Sequence, residues 1–192
     1  MDIEDYIYVG NHIPVELCKA LIDECNKKKW ENHTWYSSVG PWPAHSKAEQ
    51  EKNDSMKVMA CTDEQQARFV PHLIKALNEY QDKHCWPGDR TQGPWLSKIS
   101  TTRFNKYEVG SKMAEHYDHI HSLFDGKLKG VPLVSIVANL NEDYEGAAFY
   151  CRGKEIPLKT GDVLLFPSNF MYPHKVTEAT KGTRYSFVNW AF

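Results

Sequence analysis

The sequence contains nine histidines, and the densest group is His116-Tyr117-Asp118-His119-Ile120-His121. In an extended strand residues i and i+2 face the same side, so His116 and Asp118 can converge on one ion while Tyr117 points elsewhere. Such a pair supplies two neighbouring corners of an octahedron. The third donor must come from a distant strand, and His174, which follows Pro173 and opens a β-like run, is the best candidate. Two histidines and a carboxylate leave three positions open, the arrangement by which non-haem Fe(II) binds both a bidentate cosubstrate and O2, whereas zinc more usually takes a closed tetrahedral site. An HxD pair also arises by chance, and a non-enzymatic, cupin-like sandwich whose histidines are structural or bind zinc fits the same residues. His119 faces away from Asp118 and His121 is out of phase with it if the strand continues, so both are expected at the surface or behind the ligands.

The elements that must position these residues divide the chain in two. In the first half, a short β-like stretch at Tyr6–Val9 precedes a helix over Pro14–Lys28, in which Val15, Leu17, Cys18, Leu21, Ile22 and Cys25 recur at helical intervals and Pro14 fits the first turn. A strand-like WENHTWYS follows, then a polar stretch from about Gly40 to Ser55 that reads as a long loop. Thr62 and Gln65 resemble a capping box, and Ala67, Val70, Leu73, Ile74 and Leu77 continue a helix to about His84, with a bend expected at Pro71. From Trp95 the pattern changes to short β-rich runs: Trp95–Phe104, Met113–Asp118, Leu133–Leu140, Ala147–Cys151, Val163–Phe166, His174–Val176 and Arg184–Trp190. This predicts a mainly β fold with N-terminal helices, a sandwich or jelly-roll barrel buttressed by those helices on one outer face.

Composition narrows the function classes. At 192 residues, 41% hydrophobic, the chain is read as one domain, 1–192, with helical support and a loop in 1–94 and a β-barrel core in 95–192. The formal charge of −2, with charges of both signs interspersed, offers no extended basic face for nucleic acid. Five scattered cysteines without a CxxC pair argue against a disulfide framework or zinc knuckle, and the acidic start MDIEDYIYVG lacks the pattern of a leader peptide. No long apolar run predicts a membrane span. The expectation is a cytoplasmic protein.

Beyond these readings, Tyr107-Glu108-Val109-Gly110 through His116-Tyr117-Asp118 resembles the YExGxxxxxHxD signature of prolyl-4-hydroxylase-type 2-oxoglutarate oxygenases. The likeness continues in register through Leu140-Asn141, Tyr144-Glu145-Gly146 and Pro157–Phe166, then His174, Gly182, Arg184 and Trp190, over about residues 95–192. The resemblance implies a double-stranded β-helix (jelly-roll, cupin-like), with Fe(II), 2-oxoglutarate and O2 required, ascorbate as reductant, and succinate and CO2 released. It makes His116, Asp118 and His174 the metal ligands and catalytic centre. Arg184, ten residues after His174, takes the place of the basic residue that pairs with the distal carboxylate of 2-oxoglutarate, and Tyr107 that of a tyrosine meeting the same carboxylate. Ser135 falls at the family's threonine position, Ser186 shares a strand face with Arg184, and Trp190 matches a tryptophan near the metal, so the resemblance adds these three to the residues expected to bind the cosubstrate.

Several departures bear on the substrate. Many prolyl-4-hydroxylases carry lysine where this chain has Arg184; a second aromatic before HxD is Met113 here, and a GGET turn is Gly146-Ala147-Ala148-Phe149. The resemblance implies a peptide or protein substrate hydroxylated on proline; the same chemistry on another side chain or a small molecule is the alternative. Halogenation is disfavoured because Asp118 is present, and nucleic-acid demethylation because Trp190 stands where that branch has a second arginine. Trp35, Tyr36 and Trp42, in the loop Trp35–Ser55, are candidates for a lid over proline rings, or for simple loop packing.

Overall fold

The computed structural model describes residues 2–33, 55–84, 96, 98–118 and 132–192. Their strands, numbered along the chain, are β1 (Tyr8–Asn11), β2 (Glu31–Asn32), β3 (Lys57–Ala60), β4 (Arg103–Tyr107), β5 (Met113–His116), β6 (Val134–Asn139), β7 (Tyr144–Gly146), β8 (Phe149–Cys151), β9 (Lys154–Glu155), β10 (Asp162–Pro167), β11 (His174–Val176), β12 (Ala179–Gly182) and β13 (Arg184–Ala191). Seven of them form a major sheet in the order β1-β10-β6-β13-β4-β3-β2. A minor sheet has the order β5-β11-β8-β9, and β12 pairs with β7 as a ribbon. The described residues are thus mainly β, with two α-helices, α1 (Val15–Asn26) and α2 (Asp63–His84).

The two faces of the major sheet have different tasks. β6 is buried at every position, because its side chains alternate between two hydrophobic clusters. Ile136 and Ala138, with Phe104, Leu165 and Phe187 of neighbouring strands, pack with Cys18 and Leu21 of α1 and Phe69, Leu73 and Leu77 of α2. Phe69 stacks on Phe187 with ring centroids 4.5 Å apart. Burial of side chains of this size stabilises by about 1.5–3 kcal/mol each. On the other face Val137, Leu164 and Phe166 meet Phe149 and Val176 of the minor sheet. Between the sheets lie polar side chains that a purely structural core would exclude: Ser135, Arg184 and Ser186, all at most 2% exposed.

Local expectations are met in part. The Thr62–Gln65 capping box is present, with Gln65 N donating to Thr62 Oγ1 and Thr62 N to Gln65 Oε1, both at 3.2 Å. The helix runs through Pro71 to His84. Pro14 lies one position before the expected place: it is the N-cap, with ψ 137°, and its carbonyl accepts from Leu17 and Cys18. The β-like stretch expected at Tyr6–Val9 is a 3-10 turn over Ile3–Tyr6 followed by β1. The strand expected to reach Asp118 stops at His116. Its partner β11 begins at His174, and the preceding Pro173 has no N–H with which to extend the ladder. The run expected from Ala147 begins at Phe149, because Ala147 has φ 46°. The expected Gly40–Ser55 loop, the Trp35, Tyr36 and Trp42 lid, His119 and His121 lie outside the described residues, apart from Ser55 itself. None of the described helices is long and apolar enough to cross a membrane.

Candidate metal centre

Sheet register brings the two histidines together. His116 ends β5 and His174 starts β11 as direct cross-strand partners, with ring centroids 4.3 Å apart. Each Nδ1 is turned to a backbone carbonyl two residues earlier, His116 to Ala114 O at 2.9 Å and His174 to Tyr172 O at 3.1 Å. A ring whose Nδ1–H is donated to a carbonyl presents an unprotonated Nε2, the lone pair a metal needs. His174 is further held by Phe149, stacked at 5.6 Å, and Phe166, edge-on at 4.9 Å.

Asp118, past the end of β5, leans across to the major sheet. Its Oδ1 lies 3.9 Å from His174 Nε2, and its Oδ2 accepts from the Ser135 hydroxyl, which in turn meets Ser168 Oγ. One donor atom each from His116, Asp118 and His174 falls within 4.8 Å of the others. Two imidazole nitrogens and one carboxylate oxygen at this spacing fit a divalent transition metal with open coordination positions. Ser135, a candidate for the cosubstrate site, lines the same pocket and is bonded to a metal-ligand candidate.

The same pocket is lined by Tyr107 and Arg184. They are register partners on β4 and β13, and the guanidinium carbon lies 5.5 Å from the Tyr107 ring centroid. Arg184 is 1% exposed; its Nε donates to Asn139 Oδ1 at 3.0 Å and its Nη1 to Ala147 O at 3.2 Å. Its Nη2 is buried without a hydrogen-bond partner. A fixed guanidinium with an unmatched donor calls for an acceptor, and a carboxylate is the natural one. Along β13, Ser186 and Trp190 follow Arg184 at two-residue steps and also line the pocket, with Trp190 opposite Ser135 in register.

Comparison with known proteins agrees with this geometry. Residues 102–192 match the model of the 2OG-Fe(II) oxygenase superfamily. These residues form a 2OG-Fe(II) oxygenase domain. The oxygenase domain is 28% identical over 99 residues to a PKHD-type hydroxylase of Hyphomonas neptunium and 26% identical over 100 residues to one of Delftia acidovorans; each match covers 48% of this chain and 43% of the relative. The matched region therefore spans less than half the length of these curated relatives. Among solved structures, a Pseudomonas putida prolyl-4-hydroxylase superposes with a TM-score of 0.66 at 19% identity, covering 98% of this chain and 96% of that one. A Trichoplax adhaerens prolyl hydroxylase, solved with a hypoxia-inducible-factor peptide, gives 0.66 at 18% identity, covering 98% and 84%. The viral collagen prolyl hydroxylase of Paramecium Bursaria Chlorella virus-1, in its 2OG complex, gives 0.64 at 14%, covering 97% and 95%. At these identities the likeness shows the fold, and the three carry it over nearly the whole chain.

Among the polar residues at this site, Arg103, Asn105 and Ser168 were not anticipated. Arg103 and Asn105 line the pocket at two-residue steps from Tyr107 on β4, a period-2 signal legible in RFNKY. Ser168, beside Ser135, lies in the β10–β11 connection and has no comparable signature in the sequence.

Proposed function

We propose that residues 1–192 work as one oxygenase domain that hydroxylates a prolyl residue of a peptide or protein, releasing succinate and CO2. The observation that carries this reading is the buried, partnerless Nη2 of Arg184 in the pocket that also holds the His116–Asp118–His174 set. In this reading the three ligands hold Fe(II), with ascorbate keeping it reduced. When bound, Fe(II) with 2-oxoglutarate and O2 supplies the oxidising chemistry. Arg184 clasps the distal carboxylate of 2-oxoglutarate, Tyr107 covers the guanidinium and borders that end of the pocket, and Ser186 lines the path between. Ser135 fixes which oxygen of Asp118 turns to the metal, and Trp190 closes the metal end against water. Fixing both ends of the cosubstrate converts its encounter with iron into one orientation.

Several observations favour a peptide substrate. Fold neighbours include prolyl hydroxylases, one of them in complex with a peptide. Tyr117 and Phe170, exposed at 48% and 72%, flank the ligands in sequence and offer apolar surface to an extended chain. The four described cysteines are free, in keeping with a reducing compartment, and we place the protein in the cytoplasm.

The test is to incubate anaerobically purified protein with Fe(II), ascorbate, 2-oxoglutarate and a panel of proline-rich peptides, then admit O2, with His174→Ala as control. Proline-dependent succinate and a peptide heavier by one oxygen atom, both absent in the variant, are expected. Succinate without peptide oxidation would keep the oxygenase and remove the prolyl substrate; iron binding without any turnover would remove the enzyme.

A further inference from the structure

Asn139, the last residue of β6, is 0% exposed and lies on the strand face that carries Ser135 and Val137. Asparagine is depleted in strands, and a fully buried amide needs a partner for each of its polar atoms. Its Nδ2 donates to Asn141 O at 2.7 Å and to Leu158 O at 3.3 Å, which ties the end of β6 to the segment before β10. Those two carbonyls settle which way the amide points, because the reversed group would set oxygen against oxygen. Oδ1 is therefore turned to Arg184, whose Nε donates to it at 3.0 Å, and the Tyr144 hydroxyl donates to the same atom at 3.4 Å.

Arg184 lies between two hollows. One is the pocket of the metal set; the other, of about 270 Å³, is lined by Tyr144, Leu158 and the acidic side chains of Glu142 and Glu155. Carboxylates on that side attract a guanidinium, and the space is large enough to receive one. Two bonds oppose such a withdrawal: Nε to Asn139, and Nη1 to Ala147 O at 3.2 Å. Held at two points, the plane of the guanidinium is set, and Nη2 is left as the donor without a partner among the described residues. Asn139 is not among the described residues that line the metal pocket, so any effect it has on a ligand there passes through Arg184.

We infer that Asn139 is a positioning residue: by aiming Arg184 it fixes the length of the 2-oxo diacid that the pocket accepts. The inference rests on the oxygenase reading above and deepens it at the cosubstrate end. A 2-oxo acid chelated at the metal has one end fixed, and a clamped Arg184 fixes the other. 2-Oxoglutarate spans that distance, whereas 2-oxoadipate, one methylene longer, must buckle or push the guanidinium back against its two bonds. Preorganisation of this kind raises affinity for the ligand that fits and lowers it for one that does not.

The experiment measures binding of three 2-oxo acids to the whole chain carrying Co(II), by calorimetry under argon. They are 2-oxoglutarate, 2-oxoadipate and 2-oxopentanoate, which has a methyl group where 2-oxoglutarate has its distal carboxylate. The parent is expected to bind 2-oxoglutarate at least about tenfold more tightly than either of the others. In Asn139→Ala its affinity should fall by about tenfold or more, 2-oxopentanoate should bind as before, and the preference for 2-oxoglutarate over 2-oxoadipate should approach one. Asn139→Ser, whose shorter side chain misses Nε and admits water to the two carbonyls, should behave alike and guards against a folding defect. The ratio between the two diacids is the readout that a merely structural role would leave unchanged. Parallel loss of all three acids in both variants overturns the proposal, as does a parent that binds the two diacids equally. A parent that binds 2-oxoglutarate no better than 2-oxopentanoate removes the 2-oxoglutarate reading itself. If the parent prefers 2-oxoglutarate over both and the variants keep that preference, the reading stands and Asn139 is excluded.

Discussion

His116 and His174 face each other across the β5–β11 ladder, and each is anchored through Nδ1 to the carbonyl of the residue two positions before it. The symmetry leaves both Nε2 atoms for one ion, with Asp118 Oδ1 at 3.9 Å from that of His174. Replacing either histidine by alanine is expected to lower Fe(II) or Co(II) affinity by at least about a hundredfold, more than loss of a supporting residue would. Co(II) titration followed by visible absorption checks this; undiminished binding by both variants would remove the triad.

Ser135 tests how the carboxylate is aimed. Its hydroxyl occupies Asp118 Oδ2 and leaves Oδ1 toward the histidines. Ser135→Ala is expected to weaken metal binding by about 10- to 100-fold, while Ser135→Thr, which keeps the hydroxyl, stays close to the parent. Equal affinities for all three proteins would mean the hydrogen bond is incidental.

Arg184 separates cosubstrate binding from metal binding. Arg184→Gln removes the charge that the carboxylate needs, and the 2-oxoglutarate dissociation constant should rise by about 2–3 kcal/mol, roughly 30- to 150-fold. Co(II) affinity in the same variant should change little, since no bond joins Arg184 to the triad among the described residues. Calorimetry with each ligand in turn reads both numbers, and a parallel loss of metal would point to general damage.

The four described cysteines should be inert in the native protein. Burial pushes the thiols of Cys25 and Cys151 up to about 12 and those of Cys18 and Cys61 up to about 11, so the thiolate is scarce at pH 8. In a Cys85→Ser background, Ellman's reagent should react with these thiols only on unfolding. Rapid reaction of the folded protein would contradict their burial.

Glu108 ties β3 to β4, lying 2.8 Å from Lys106 Nζ and 2.6 Å from Lys57 Nζ, and the Lys106 bond first, then Lys57, holds its carboxyl below the usual range. A carboxyl lowered in the folded state contributes stability above its unfolded value near 4.3 and loses it as pH falls through the folded value. The side chain is 39% exposed, so solvent screening keeps the contribution under about 1 kcal/mol. Denaturation curves of Glu108→Gln and the parent should differ slightly at pH 7 and converge once the pH falls below the lowered value of the folded state.

By itself, the sequence singled out His116, Asp118 and His174 as candidate ligands and showed the change from helices to strands. HxD at a two-residue step is a local signal, whereas Arg184 stood out only through its resemblance to the family pattern, ten residues after His174. Tertiary structure decided what each polar side chain touches, because hydrogen-bond partners come from strands distant in the chain. Ser135 meets Asp118 because β6 and the end of β5 approach from opposite sheets. β5 stops at His116 because its partner strand begins after a proline, a limit set by pairing and invisible in MAEHYD. Arg103 and Asn105 carried the right period in the sequence, but the wall they form beside the metal exists only because β13 lies between β4 and β6.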